Sequence, residues 1–106
     1  MDIANIQKEI HSTAVDHGWW DNDRSFGEVI ALIHSELSEA LEEWRQGNPH
    51  VYEKNGKPEG IGIEFADAII RILDVCEVYG IDIEDCVRRK MEYNKTRPYR
   101  HGGLRA

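Results

Sequence analysis

Between Ser25 and Gly47 the apolar residues fall at Phe26, Val29, Ile30, Ile33, Leu37, Ala40, Leu41 and Trp44, the three-and-four spacing of one helix face rather than the alternation of a strand. Ser25 with Glu28 three residues on has the form of a capping box, and Gly47 before Asn48-Pro49 marks the stop. The same period returns at Ile61, Phe65, Ala68, Ile69, Ile72 and Cys76, up to Tyr79 and a capping Gly80, and in shorter form at Ile3, Ile6, Ile10 and Ala14, closed by Gly18. A fourth helix opens at Asp82, with Ile81 and Cys86 at the positions of a hydrophobic staple, and ends before Pro98. An apolar stripe on each of four helices predicts an all-α, four-helix bundle-like fold with helices at about 2–17, 25–46, 59–79 and 82–97.

The connections agree with this plan. Residues 19–24 carry turn formers and no period, and 46–60 hold Asn48-Pro49, Asn55-Gly56 and Lys57-Pro58, too many turn signals for a helix. That stretch is expected to be an irregular connection, with Val51-Tyr52 before Asn55-Gly56 as the place where a small hairpin could form. At 106 residues the chain is one domain with a core near the lower limit of self-sufficiency, so assembly into a homo-oligomer is expected, and 99–106 is expected to be a flexible tail.

Charge is unevenly spread. The net charge is −7, yet Arg88 to Ala106 holds seven Lys or Arg against one acid, leaving −13 on the rest. An acidic body argues against binding a nucleic acid polymer and suits metal cations, while a basic end suits phosphates. Cys76 and Cys86 have neither redox nor zinc spacing and are both expected to be buried. No stretch approaches the roughly 20 apolar residues of a membrane span, and Met1 to Ile10 has no apolar run, so the expected location is the cytoplasm.

Two acid pairs carry the chemistry, Glu36 with Glu39 and Glu64 with Asp67, each three residues apart on one helix side. Such pairs are common on solvated faces; their place beside the apolar stripes is more telling. At about 100° per residue, the stripe of the second helix is centred roughly 80° clockwise of Glu36, and that of the third roughly 100° clockwise of Glu64. Glu39 and Asp67 each lie about 60° the other way. Antiparallel packing through the stripes therefore puts four carboxylates on one flank, where only a cation relieves their repulsion. All-oxygen ligands select Mg²⁺ or Mn²⁺. Glu43 and Asp74 could add an outer ligand or be plain surface acids.

Ile83, Val87, Lys90 and Asn94 form a narrow stripe that turns polar, with Arg97 three residues beyond. Either the helix leaves the core there or these three side chains grip phosphate oxygens. Trp19 and Trp20 either cover the end of the core or stack on a nucleobase. The histidines show no ligand spacing, and His34 is expected at the core boundary.

With these residues in view, the chain resembles the all-α nucleoside triphosphate pyrophosphohydrolases of the MazG-like group. The match is carried by Glu36-x-x-Glu39, 24 residues, then Glu64-x-x-Asp67, set within Ser35-Glu36-Leu37-Ser38-Glu39-Ala40-Leu41-Glu42-Glu43-Trp44 and Lys57-Pro58-Glu59-Gly60-Ile61-Gly62-Ile63-Glu64-Phe65-Ala66-Asp67. It covers most of residues 20 to 103. The resemblance implies that the four acids bind Mg²⁺ and that a nucleoside triphosphate is cleaved between its α and β phosphates. It further implies that Lys90, Asn94 and Arg97 meet the phosphates, and that the protein is a homodimer or homotetramer with sites near subunit contacts. Arg97-Pro98-Tyr99-Arg100-His101-Gly102-Gly103 is similar to the tail of short members, which often carry a basic residue where this chain has Leu104.

On that basis Glu36 and Glu39 are the expected catalytic carboxylates, with Glu39 accepting a proton from the attacking water, and nucleotide-pool house-cleaning is the expected role. A phosphoribosyl-ATP pyrophosphohydrolase would share the acids, and a non-catalytic regulatory or interaction module would need no metal. A di-iron bundle is disfavoured because neither pair has the Glu-x-x-His spacing.

Overall fold

The computed structural model describes residues 2–98. Along the chain run α1 (Ile3–Asp16), α2 (Phe26–Arg45), β1 (Tyr52–Lys54), β2 (Lys57–Glu59), α3 (Ile61–Val78) and α4 (Ile83–Thr96). The expected helices are present to within two residues at each end. The expected flexible tail, 99–106, lies outside the described residues.

Local chemistry sets the ends. Asp2 caps α1 by accepting from the amides of Ala4 and Asn5 at 3.0 and 3.4 Å, and Asp82 caps α4 by accepting from Asp85 at 3.0 Å. At the end of α1 Gly18, with φ +80°, reverses the chain: its N–H donates to Val15 and that of Trp19 to Ala14, the paired bonds of a Schellman motif. This sharp stop throws Trp19 and Trp20 back over the helices. The capping box at Ser25 is only half formed. Ser25 Oγ accepts from Glu28 N at 3.0 Å, but the Glu28 carboxylate is drawn instead to Arg24 Nη1, also at 3.0 Å.

The segment 46–60 is more ordered than expected. β1 and β2 pair antiparallel, Tyr52 opposite Glu59 and Lys54 opposite Lys57, around Asn55-Gly56, both at positive φ as the twist of a two-residue hairpin demands. Pro58 sits in β2, and the third helix, expected from about residue 59, starts behind Gly60.

α3 is the central element, packed against α2 on one side and α1 on the other. Val29, Ile33, Ala68 and Val75 form the core, with Trp20 and Ile30 against it. No large side chain among the described residues is fully withdrawn from water. Three expectations fail here. α4 buries none of its residues, so the molecule is a three-helix packing with α4 appended against α1, and the stripe Ile83, Val87, Lys90, Asn94 does not enter a core of this chain. Cys86 on that helix is exposed, while Cys76 on α3 is buried as expected, and His34 is exposed rather than at the core boundary. The outer halves of the α2 and α3 stripes also meet solvent: Leu37, Leu41, Trp44, Phe65 and Ile69 are all about half exposed or more. No helix of the described residues is long and apolar enough to cross a membrane.

Candidate functional site

The two acid pairs meet across the α2–α3 seam. Glu36 and Glu64 are buried and Asp67 is half-buried, and one carboxylate oxygen from each lies within 4.8 Å of the others. Glu39, one turn along α2, is exposed but within hydrogen-bonding reach of Glu64. The flank inferred from helical angles is therefore the one on which these acids converge, with Glu36, Glu64 and Asp67 as its tight centre and Glu39 at the rim.

What holds Glu64 inward is the start of α3. Gly60 is the N-cap, at φ +113°, and its Cα lies so close to the His50 carbonyl that a Cβ there would run into its oxygen and come to 2.8 Å from its carbon. The His50 carbonyl in turn accepts from Gly62 N at 2.9 Å. The hairpin is tied to α2 as well, since Tyr52 Oη donates to Glu43 at 2.7 Å and Asn48 Nδ2 donates to the same carboxylate at 2.6 Å. Those bonds lower the Glu43 pKa and push Tyr52 up to about 12. Glu43, weighed above as an outer ligand or a plain surface acid, is thus the anchor of the hairpin.

Crowding leaves an electrostatic signature. Burial first, then the neighbouring Glu39 and Glu36 carboxylates and the charge of Asp67, push Glu64 up to about 8. Asp67 is raised by burial and then by Glu36, with the Arg71 guanidinium pulling the other way. Glu64 Oε2 is buried and accepts no hydrogen bond, which is costly for a carboxylate unless a proton or a cation meets it. Oxygen donors from three convergent carboxylates, one of them orphaned, fit a hard divalent cation.

Beside the acids lies a cavity of about 330 Å³, whose wall includes Trp19, Trp20, Glu36, Asp67, Arg71 and Asp74. Trp20 is pinned: its Nε1 donates to both Asp74 oxygens at 3.1 and 3.0 Å, and His11 Nδ1 stands 2.7 Å from Oδ1. Asp74 is accordingly neither a plain surface acid nor a free ligand. Trp19 has the guanidinium of Arg24 at 3.8 Å and that of Arg71 at 4.7 Å from its ring centre. Both tryptophans line the cavity, and Trp20 also packs against the core, as the first of the two readings has it.

Lys90, Asn94 and Arg97 line neither this cavity nor the acidic groove of Glu39, Glu42 and Glu64. Lys90 Nζ and the Arg97 guanidinium instead lie 5.0 and 5.6 Å from the Tyr93 ring. The polar residues that sequence reasoning missed are Arg71, whose Nε donates to Glu36 Oε1 at 2.9 Å, and His11. Arg71 was findable: four residues after Asp67 and seven after Glu64, it shares their helix side. Nothing in the spacing of His11 announced a partner 63 residues away.

No protein-family model matches the chain, and no solved structure is matched either. Over 98 residues, 90% of its length, the chain is 35% identical to a protein named dATP/dGTP diphosphohydrolase from Salmonella phage PMBT28. It spans about a quarter of that relative, 27% of its length.

Proposed function

We propose that this chain is a MazG-like nucleoside triphosphate pyrophosphohydrolase, holding Mg²⁺, or Mn²⁺, through Glu36, Glu39, Glu64 and Asp67 and releasing a nucleoside monophosphate and pyrophosphate. The observation that carries the proposal is the convergence of Glu36, Glu64 and Asp67, together with a buried Glu64 oxygen that has no hydrogen-bond partner. Support comes from the name of the phage relative, which belongs to an enzyme acting on nucleoside triphosphates and suggests dATP and dGTP as the first substrates to try. Turnover of soluble nucleotides suits a cytoplasmic role in clearing the nucleotide pool.

A divalent ion in such a site supplies neutralisation of phosphate charge and a more acidic water. The protein does the rest. Glu36, Glu64 and Asp67, set on two rigid helices, fix where the phosphates lie, so that catalysis is mainly positioning. Glu39, which is exposed at the rim next to Glu64, would accept the proton of a water attacking the α phosphorus. The Trp19 and Trp20 cavity takes the nucleoside, within reach of the acids because Glu36 and Asp67 are common to both. Lys90, Asn94 and Arg97 stand away from the site in their own chain; in a homodimer or homotetramer joined through the exposed apolar face they would serve the phosphates bound by a second copy.

The test is release of pyrophosphate from a panel of ribo- and deoxyribonucleoside triphosphates and phosphoribosyl-ATP, with and without Mg²⁺. Glu39→Gln should lower metal-dependent turnover by about 100-fold or more while its helical circular dichroism is unchanged. Wild-type turnover in that variant, or no pyrophosphate from any substrate, refutes the proposal.

A further inference from the structure

Among the described residues, Arg71 is the only Lys or Arg lining the cavity that joins the tryptophans to the acids. Its neighbour Arg24 is committed elsewhere, Nε to the Trp19 carbonyl at 3.0 Å and Nη1 to Glu28 at 3.0 Å. Among the described residues, Arg71 has one hydrogen-bonded carboxylate partner, Glu36, reached through Nε at 2.9 Å, and its guanidinium rests near the Trp19 ring. Its side chain is about a quarter exposed while that of Glu36 is under a tenth. The guanidinium therefore has one end in the acid cluster and open cavity beside it.

We propose that Arg71 is an exchangeable counter-ion: it occupies Glu36 while the site is empty, yields that carboxylate to the divalent cation, and then binds a phosphate oxygen of the incoming triphosphate. The proposal rests on the metal-site assignment above and assigns a role to a residue which that assignment leaves unused.

Three physical points carry it. Glu36 belongs to the trio whose oxygens lie within 4.8 Å of one another, so the same carboxylate is wanted by both cations. A divalent ion beside a guanidinium is repelled by it, more strongly in a partly dry site than in water, so the two do not share Glu36 at no cost. Once released, the guanidinium stays tethered by its stem and by Trp19, and its five N–H donors in a planar fork match a phosphate better than any other group on the cavity wall. The consequence is reciprocal coupling. Metal alone meets a competitor, triphosphate draws the competitor away, and each ligand favours the other.

This makes a prediction of opposite signs. Isothermal titration of the full chain with Mg²⁺ alone should show Arg71→Gln binding the ion about 3- to 10-fold more tightly than wild type. Titration with the non-hydrolysable α,β-imido analogue of dATP, in the presence of Mg²⁺, should show the variant binding about 10-fold more weakly. A residue needed only for packing would weaken both together, and that result overturns the proposal, as does unchanged Mg²⁺ affinity. If the variant does not fold, the wild-type protein decides: the Arg71 Nε–H nuclear resonance, held by Glu36, should exchange faster with water when Mg²⁺ is added. A resonance unmoved at saturating Mg²⁺ overturns the exchange. Wild-type protein that binds neither ligand would remove the metal site itself, an outcome distinct from failure of Arg71 alone.

Discussion

Glu64 is where the site stores most of its tension. Its carboxyl is raised from the ordinary 4.5 to about 8, so the native protein keeps a proton that the unfolded chain has lost across that interval. Because Glu64 then binds more protons in the folded state than in the unfolded one, its contribution to metal-free stability is fullest below about pH 4.5 and falls as pH rises toward 8. Melting temperatures measured with chelator should decline between pH 5 and pH 8. Glu64→Gln, which keeps the shape and removes the charge, should flatten that decline and raise the midpoint at pH 8 by about 5 °C, the shift that about 1 kcal/mol makes in a domain of this length. The same variant should lose the stabilisation that wild type gains from added Mg²⁺. A Glu64→Gln protein that melts lower than wild type at pH 8 without metal would mean that Oε2 has a partner after all.

At the scale of elements, the hairpin and the first turn of α3 work as one piece. Gly60 threads between them with no room for a side chain, the His50 carbonyl caps the approach through Gly62, and Glu64 follows one turn later. Gly60→Ala adds a Cβ against backbone atoms that cannot rotate away, at a φ that L-residues avoid. It should cost about 2 kcal/mol or more, seen as a lower urea midpoint with an unchanged slope, and should weaken Mg²⁺ binding although no ligand is altered. An alanine variant with wild-type metal affinity would separate the hairpin from the site.

For the whole molecule the decisive feature is what remains uncovered. Leu37, Ala40, Leu41, Trp44, Ile61 and Phe65 enclose an almost wholly apolar groove of about 330 Å³ at one end of the α2–α3 pair, and α4 stands without a buried residue. A monomer with so little core is near the edge of stability, and Leu37, Leu41 and Phe65, each about half exposed, gain on the order of 1 kcal/mol apiece when covered. Sedimentation should therefore find wild type as a dimer or tetramer and Leu41→Glu as a monomer with a lower melting temperature. Wild-type protein that sediments as a monomer at 100-fold dilution and at high concentration alike would rule out assembly through this face.

The helices were legible because their causes are local: a 3.6-residue period, an Asp or Ser before it, a glycine after it. So was the convergence of the acids, since a fixed angle per residue carries Glu36 and Glu64 to the same edge once the helices run antiparallel. The hairpin was visible only as a cluster of turn signals, for the bonds that order it, from Tyr52 and Asn48 to Glu43, cross from a loop to a helix. The sequence by itself determined which edge of α2 and of α3 carries the acids. Only the tertiary structure decided that α4 finds no core in its own chain, that Asp74 is spent on Trp20 and His11, and that the counter-charge of Glu36 is Arg71. Those outcomes depend on distances between elements far apart along the chain, and periodicity, which counts residues within one element, contains no information about them.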